Sequence, residues 1–98
     1  MNAMTSKPSR GREAIEPVVY IVDDDADMND ALADLLRSVG IRSRSFLTAD
    51  AFLKTPIDMA PGCVVMDVRL RGANGLEVQR ELIRRGVCVP VVFITGHG

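Results

Sequence analysis

VVYIVDDD, residues 18–25, is the stretch that decides the fold class of this chain. Five apolar residues, Val18–Val22, run directly into the carboxylates of Asp23, Asp24 and Asp25. A short continuous apolar run is typical of a strand buried on both faces, as in a parallel sheet. Carboxylates need water or a counter-charge, so we expect them at the rim of that sheet, where the strand ends.

Helical and strand patterns alternate after this stretch. "DADMNDALADLLRSVG" predicts a helix that ends at Gly40, because apolar residues recur at helical spacing and acidic residues crowd the first turn. "IRSRSF" alternates and predicts a less buried strand, and Thr48 is a suitable cap for a short helix, "ADAFLK". The apolar stripe of the first helix is interpreted as core: Met28, Ala31, Leu32, Leu35, Leu36 and Val39.

Two more apolar runs complete the pattern. "CVVMD" and "VPVVFIT" predict buried strands, and "GLEVQRELIRRG" predicts a helix between them. Asn74 and Glu77 are spaced as a capping pair for that helix, and Gly86 is its stop. Strands separated by helices pair in parallel through right-handed crossovers. The fold class is therefore α/β, with a doubly wound parallel sheet.

Composition limits the function classes. The chain has 98 residues, which allows one domain, and its 47% hydrophobic content excludes a disordered protein. The net charge is −1 and the basic residues are dispersed, so we expect no nucleic-acid contact by this chain. Residues 1–16 predict a flexible tail without the apolar centre of a signal peptide, and no run could span a membrane, so we expect a cytoplasmic protein. Cys63 and Cys88 are interpreted as small buried hydrophobes rather than a redox pair or metal site.

Polar side chains end three of the predicted strands: Asp23 with its two neighbours, Asp67, and Thr95. Ligands of an open parallel sheet bind beyond the carboxyl ends of its strands. Grouped carboxylates repel unless a cation neutralises them, and Mg²⁺ accepts carboxylate oxygens while leaving positions for a phosphate. We interpret Asp23, Asp24 and Asp67 as a Mg²⁺ site.

The predicted site leaves two kinds of chemistry open. One is hydrolysis by activated water, and the other is an aspartate nucleophile that takes a phosphoryl group. No His, Cys or Ser other than His97 is placed at this rim as a general base, which favours the nucleophile. A threonine hydroxyl could then donate to a phosphoryl oxygen.

Three motifs resemble the receiver domain of bacterial two-component response regulators: "VVYIVDDD", "CVVMDVRLRGANGLE" and "VVFITGHG". The resemblance covers residues 18–98 and implies a flavodoxin-like sheet. "FLTADAFL" and "ITGHG" are most similar to the FixJ-like subgroup, whose members usually carry a LuxR-type helix-turn-helix output domain.

The resemblance implies a role for each residue of the rim. Asp67 would accept a phosphoryl group from a sensor histidine kinase, and Thr95 would be the switch hydroxyl. Asp23 and Asp24 would bind Mg²⁺ together with Asp67, with the backbone carbonyl of Arg69 as a further ligand. Asp25 has no fixed role in the family and is interpreted as a helix-start charge.

Two departures from the family pattern qualify this expectation. Arg71 stands where the family usually has proline, and the chain reaches only Gly98, before the last helix, strand and helix of a receiver with their lysine and aromatic switch residue. We therefore expect residues 17–98 to form a partial receiver domain with sheet order 2-1-3-4. Its fourth strand would be an exposed edge, so the chain would be unfolded, aggregated or paired with a second copy.

Two alternatives to a signalling receiver remain. One is a receiver-like interaction fragment that no longer signals. The other is a phosphohydrolase with an aspartate nucleophile, which would need a second aspartate at the position of Arg69.

Overall fold

The computed structural model describes residues 17–55, 62–70 and 72–94. Each predicted strand and helix is found in these ranges, together with a two-stranded ribbon that the sequence patterns did not predict. The elements in chain order are β1 Val18–Val22, α1 Ala26–Ser38, β2 Arg42–Phe46, α2 Ala49–Lys54, β3 Gly62–Asp67, β4 Arg69–Leu70, β5 Ala73–Asn74, α3 Gly75–Arg84 and β6 Val91–Ile94.

Four strands form one parallel sheet in the order β2-β1-β3-β6. Because β6 is the fourth strand of this sheet, the predicted order 2-1-3-4 is confirmed. Val22 lies level with both Phe46 and Met66 in the register. The carboxyl ends of the strands therefore reach the same edge of the sheet, and the residues that follow them can meet there.

The main core lies on one face of the sheet, between it and helices α2 and α3. The β1-to-β2 connection moves across the sheet in the opposite direction to the β2-to-β3 and β3-to-β6 connections. Because such crossovers are right-handed, α1 lies on the opposite face from α2 and α3. The sheet is therefore doubly wound, as predicted. The buried residues of this core are Tyr20, Val22, Ala49, Phe52, Val64, Met66, Leu70, Val78 and Leu82.

Helix α1 corrects the interpretation of its apolar stripe as core. Leu32 and Leu36 are partly buried, but Leu35 is 60% exposed and Val39 is 64% exposed. Helical spacing identifies one side of a helix but does not say how much of that side another element covers. The described elements leave the outer part of this stripe uncovered.

Two further burial predictions are also wrong. Cys88 is exposed and Cys63 is only partly buried, so neither is the buried hydrophobe that was predicted. Both are free thiols and do not form a disulfide with each other. Cys88 lies in the connection before β6. Cys63 alternates in β3 with the core residue Val64, so it lies on the opposite sheet face, where α1 is the covering helix among the described elements. β6 has the apolar sequence of a buried strand, but it is the outermost strand of the described sheet and Val92 is 50% exposed, in agreement with the expected exposed edge.

The predicted caps at Thr48 and Asn74 and the predicted stop at Gly86 are confirmed. The predicted pairing of Asn74 with Glu77 is not found among the described residues, because Glu77 is exposed and does not accept from the Asn74 N–H. The Thr48 hydroxyl accepts from the Ala51 N–H at 3.0 Å, and the Asn74 side chain accepts from the Leu76 N–H at 2.8 Å. Gly86 follows α3 with a φ of 77°, a conformation that favours glycine. The Arg85 Nε lies 2.7 Å from Glu81 Oε2.

Several expectations concern residues outside the described ranges. These are the tail 1–16, Arg71, Thr95 and His97. None of the three described helices combines the length and the apolar composition that a membrane-spanning segment requires.

Candidate functional site

Three of the predicted site residues meet at the carboxyl edge of the sheet. Asp23 directly follows β1, and Asp67 is the last residue of β3. One carboxylate oxygen from each of Asp23, Asp24 and Asp67 lies within 4.8 Å of the other two. Asp23 is fully buried and Asp67 is 1% exposed, whereas Asp24 is partly buried. The opening of the site to solvent is therefore on the side of Asp24.

The loop after β1 separates three consecutive carboxylates. The Asp23 N–H donates to the Phe46 carbonyl at 3.1 Å, which continues the β1–β2 pairing by one residue. Asp23 Oδ1 accepts from the Asp25 N–H at 2.9 Å. Asp25 caps α1 by accepting from the N–H groups of Asp27 and Met28 at 2.9 and 3.3 Å. Asp25 therefore stabilises the helix start, as predicted, while its two neighbours belong to the acidic group.

The segment after β3 holds Asp67. The Arg69 N–H donates to Asp67 Oδ1 at 2.9 Å, and the Val68 N–H donates to the Ile94 carbonyl at 3.1 Å. Strands β4 and β5 then form an antiparallel ribbon in which Arg69 is level with Asn74. The ribbon turns the chain back so that α3 begins beside β3.

Gly75 allows α3 to begin this close to Asp67. Its N–H donates to the Val68 carbonyl at 3.0 Å. A Cβ at this position would lie 2.9 Å from Phe93 Cε1 and 3.0 Å from the Asp67 carbonyl oxygen. Such distances are too short for an ordinary side chain, so the tight approach depends on glycine.

Asn29 is a residue of this region that the sequence interpretation did not select. It is 3% exposed, and its Nδ2 donates to the carbonyl oxygens of Asp23 at 2.9 Å and Phe46 at 3.2 Å. Its position gave a usable signal, because Asn29 shares the inward side of α1 with Leu32 and Leu36. A polar residue among inward apolar ones needs buried hydrogen-bond partners.

The donor set fits a hard divalent cation. Three carboxylates this close repel one another, and a cation would offset that repulsion. The donors are all oxygen atoms, which suit Mg²⁺ better than the nitrogen and sulfur ligands typical of Zn²⁺. Arg69 lies next to the group through its N–H, and Thr95 lies outside the described residues.

Comparison with known proteins gives the class of protein that this fold and this acidic edge define. Residues 19–98 match the family model described as the response regulator receiver domain. The match extends over most of the chain, and this chain belongs to the response regulator receiver family.

Three relatives illustrate the similarity. The response regulator protein TmoT of Ectopseudomonas mendocina is 47% identical over 83 residues, which cover 85% of this chain and 38% of TmoT. The transcriptional regulatory protein FixJ of Azorhizobium caulinodans is 41% identical over 80 residues, which cover 82% of this chain and 38% of FixJ. The structure of the response regulator StyR superposes with a TM-score of 0.79 at 40% identity, covering 85% of this chain and 42% of that one. The chain thus spans well under half the length of these relatives.

Proposed function

We propose that this chain is a phosphoacceptor module in which Asp67 takes a phosphoryl group from a sensor histidine kinase. The observation that carries the proposal is the meeting of Asp23, Asp24 and Asp67 within 4.8 Å at the carboxyl edge of the sheet. Membership of the receiver family supports the same assignment.

The proposed reaction is a transfer between two side chains. A carboxylate oxygen of Asp67 attacks the phosphorus of a phosphohistidine, and the P–N bond breaks with its electron pair remaining on the imidazole nitrogen. The products are an aspartyl phosphate and a free histidine. The Arg69 N–H fixes the Asp67 carboxylate at 2.9 Å, which orients it for the attack. Hydrolysis of the aspartyl phosphate restores Asp67, so the module changes state without acting as a turnover enzyme.

The proposed cofactor is Mg²⁺. The side chains of Asp23, Asp24 and Asp67 would hold it, with the backbone carbonyl of Arg69 as a further ligand. When bound, the ion would supply positive charge next to the carboxylates and the phosphoryl oxygens. The all-oxygen donor set and the burial of two of its members support this assignment.

The remaining roles follow from the resemblance and are proposed with it. Thr95 would be the switch hydroxyl that donates to the phosphoryl group. The output would be control of transcription in the cytoplasm, in keeping with the name of the FixJ relative. This segment itself would make no nucleic-acid contact, because its basic residues are dispersed. A second copy of the chain, paired through β6, is proposed as a further partner.

The test of the phosphoacceptor proposal is incubation with acetyl phosphate, with and without Mg²⁺, followed by intact-mass measurement. We expect a Mg²⁺-dependent gain of one phosphoryl group that Asp67→Ala abolishes. The matched control is Asp50→Ala, which removes an exposed carboxylate of α2 and should leave the gain unchanged.

Two results would contradict the proposal. A gain that persists in Asp67→Ala would place the phosphoryl group on another residue. No gain in the unchanged protein would favour the alternative of a receiver-like interaction fragment that does not signal.

A further inference from the structure

We propose that Asn29 is a positioning residue for the metal site, although it is not one of the proposed ligands. Its side chain holds the peptide unit that joins Asp23 to Asp24. This inference rests on the proposed function, because it concerns the affinity of the same site for Mg²⁺.

The burial of Asn29 sets it apart within its helix. In α1, which the structure describes from Ala26 to Ser38, Asn29 alone is buried. An amide at 3% exposure needs hydrogen bonds, and Nδ2 supplies two of them, to the Asp23 carbonyl at 2.9 Å and the Phe46 carbonyl at 3.2 Å. The side chain therefore joins α1 to the carboxyl ends of β1 and β2 at one point.

Those hydrogen bonds act on the backbone of the ligand loop, residues 23–25, which follows β1 and carries two of the proposed metal ligands. The Asp23 N–H is held by Phe46, its carboxylate accepts from Asp25, and its carbonyl accepts from Asn29. The Asp23 carbonyl belongs to the planar peptide unit whose nitrogen is that of Asp24. Fixing this carbonyl therefore fixes the direction in which the chain leaves Asp23 and enters Asp24, and both carry carboxylates of the acidic group.

A purely structural role would have a different consequence. If Asn29 only anchored α1 to the sheet, its loss would lower the free energy of unfolding and leave metal affinity unchanged in the folded molecules. If it positions the ligand loop, its loss must also weaken Mg²⁺ binding. Residues that orient metal ligands typically change affinity about 10- to 100-fold when replaced.

The experiment measures metal affinity in Asn29→Ala and Asn29→Leu. Leucine has a similar size to asparagine and retains packing while removing the donor. Free Mn²⁺ is followed by electron paramagnetic resonance during titration, and Mg²⁺ competition then gives the Mg²⁺ dissociation constant. We expect a rise of about tenfold in both variants. The matched control is Val78→Ala, which opens a cavity in the core on the opposite face of the sheet and should change the dissociation constant less than about twofold while lowering stability.

The outcomes separate this inference from the proposed function. If the unchanged protein binds neither ion, both are overturned. If it binds, and both Asn29 variants bind within about twofold of it, only the role of Asn29 is overturned. A rise in the dissociation constant in the Asn29 variants but not in Val78→Ala supports it.

A measurement on the unchanged protein decides the question if both variants fail to fold. Coupling between two sites is reciprocal, so hydrogen bonds that favour Mg²⁺ binding must themselves be favoured by Mg²⁺. Saturating Mg²⁺ should then slow hydrogen exchange at Asn29 Nδ2 more than at the backbone N–H of Ile21, which reports opening of β1. Equal slowing at the two groups would overturn the inference.

Discussion

Asp23, Asp24 and Asp25 have the same side chain but lie in three different environments. Asp23 is fully buried beside Asp67, Asp24 is partly buried at the solvent side of the group, and Asp25 caps α1. The repulsion among three consecutive carboxylates is reduced because the third is turned into the helix N-terminus, where negative charge is favoured. Asp23 and Asp24 meet the carboxylate of Asp67, which comes from another strand.

This crowding predicts that Asp23, one of the proposed metal ligands, destabilises the metal-free protein. Asp23→Asn keeps an oxygen that can accept from the Asp25 N–H but removes one of three neighbouring charges. We expect its free energy of unfolding in EDTA to rise by about 1 to 2 kcal/mol, because carboxylates this close repel one another strongly when two of them are buried from water. The same variant should lose the stabilisation that the proposed binding of Mg²⁺ to the folded state alone would give.

Urea denaturation in EDTA and in Mg²⁺ measures both effects. The control, Asp30→Asn, removes an exposed charge of α1 and should change the free energy of unfolding by less than about 0.5 kcal/mol. A lower stability of Asp23→Asn in EDTA, or an unchanged response to Mg²⁺, would contradict the interpretation of the acidic group.

At the scale of elements, α3 has ion pairs along its own surface and a hydrogen bond to α2. Glu81 pairs with Arg84 and Arg85 on the surface of the helix. Arg85 Nη1 also donates to the Leu53 carbonyl at 2.8 Å, near the end of α2. The Glu81 carboxylate therefore orients the guanidinium that joins the two helices on this face of the sheet.

The Glu81 ion pair makes stability depend on pH. The hydrogen bond from Arg85 is the main cause that lowers the pKa of Glu81 below its ordinary value of 4.5, helped by the charges of Arg84 and Arg85 and opposed by burial. Because the folded-state pKa is the lower one, the contribution to stability is present above pH 4.5 and is lost as the pH falls through the folded-state pKa. Glu81→Gln should therefore be less stable than the unchanged protein at pH 7 and should approach it in acid.

Thermal or urea unfolding from pH 7 to pH 3 tests this difference. The control, Glu77→Gln, removes a carboxylate one turn earlier in α3. Its free energy of unfolding should still fall between pH 7 and pH 3, as in the unchanged protein. If Glu81→Gln lowers the free energy of unfolding by the same amount at pH 7 and at pH 3, the ion pair does not contribute through its charge.

At the scale of the whole molecule, the two faces of the sheet are covered unequally. Helices α2 and α3 bury the core on one face, whereas α1 covers the other and leaves Leu35 and Val39 exposed. β6 is the outer strand of the described sheet and has Val92 50% exposed. An apolar edge strand of this kind can pair with the same strand of another chain.

Self-association through β6 is expected to weaken when its edge is charged. Val92→Lys removes apolar area that pairing would bury and adds a charge that discourages it, so the dimer dissociation constant should rise at least about fivefold. Leu35→Lys makes a comparable change on α1, away from the strand, and should not alter association. Sedimentation velocity over a range of protein concentrations measures the dimer dissociation constant of each variant. If the unchanged protein is monomeric at every concentration, the proposed pairing through β6 is contradicted.

Local signals were enough to predict the four strands of the main sheet, the three helices, their order and the acidic edge, but not the β4–β5 ribbon. A strand, a helical stripe and a cap each depend on residues within a few positions of one another, and parallel strands bring their carboxyl ends together whatever the details of packing. The meeting of Asp23 and Asp67 followed from that rule. Burial depended on tertiary structure, because the exposure of Leu35 and Cys88 is set by elements that pack against them or do not. The burial and hydrogen bonding of Asn29 also depended on tertiary structure, since one of its acceptors, Phe46, lies 17 residues away on β2 and meets it only in the folded chain.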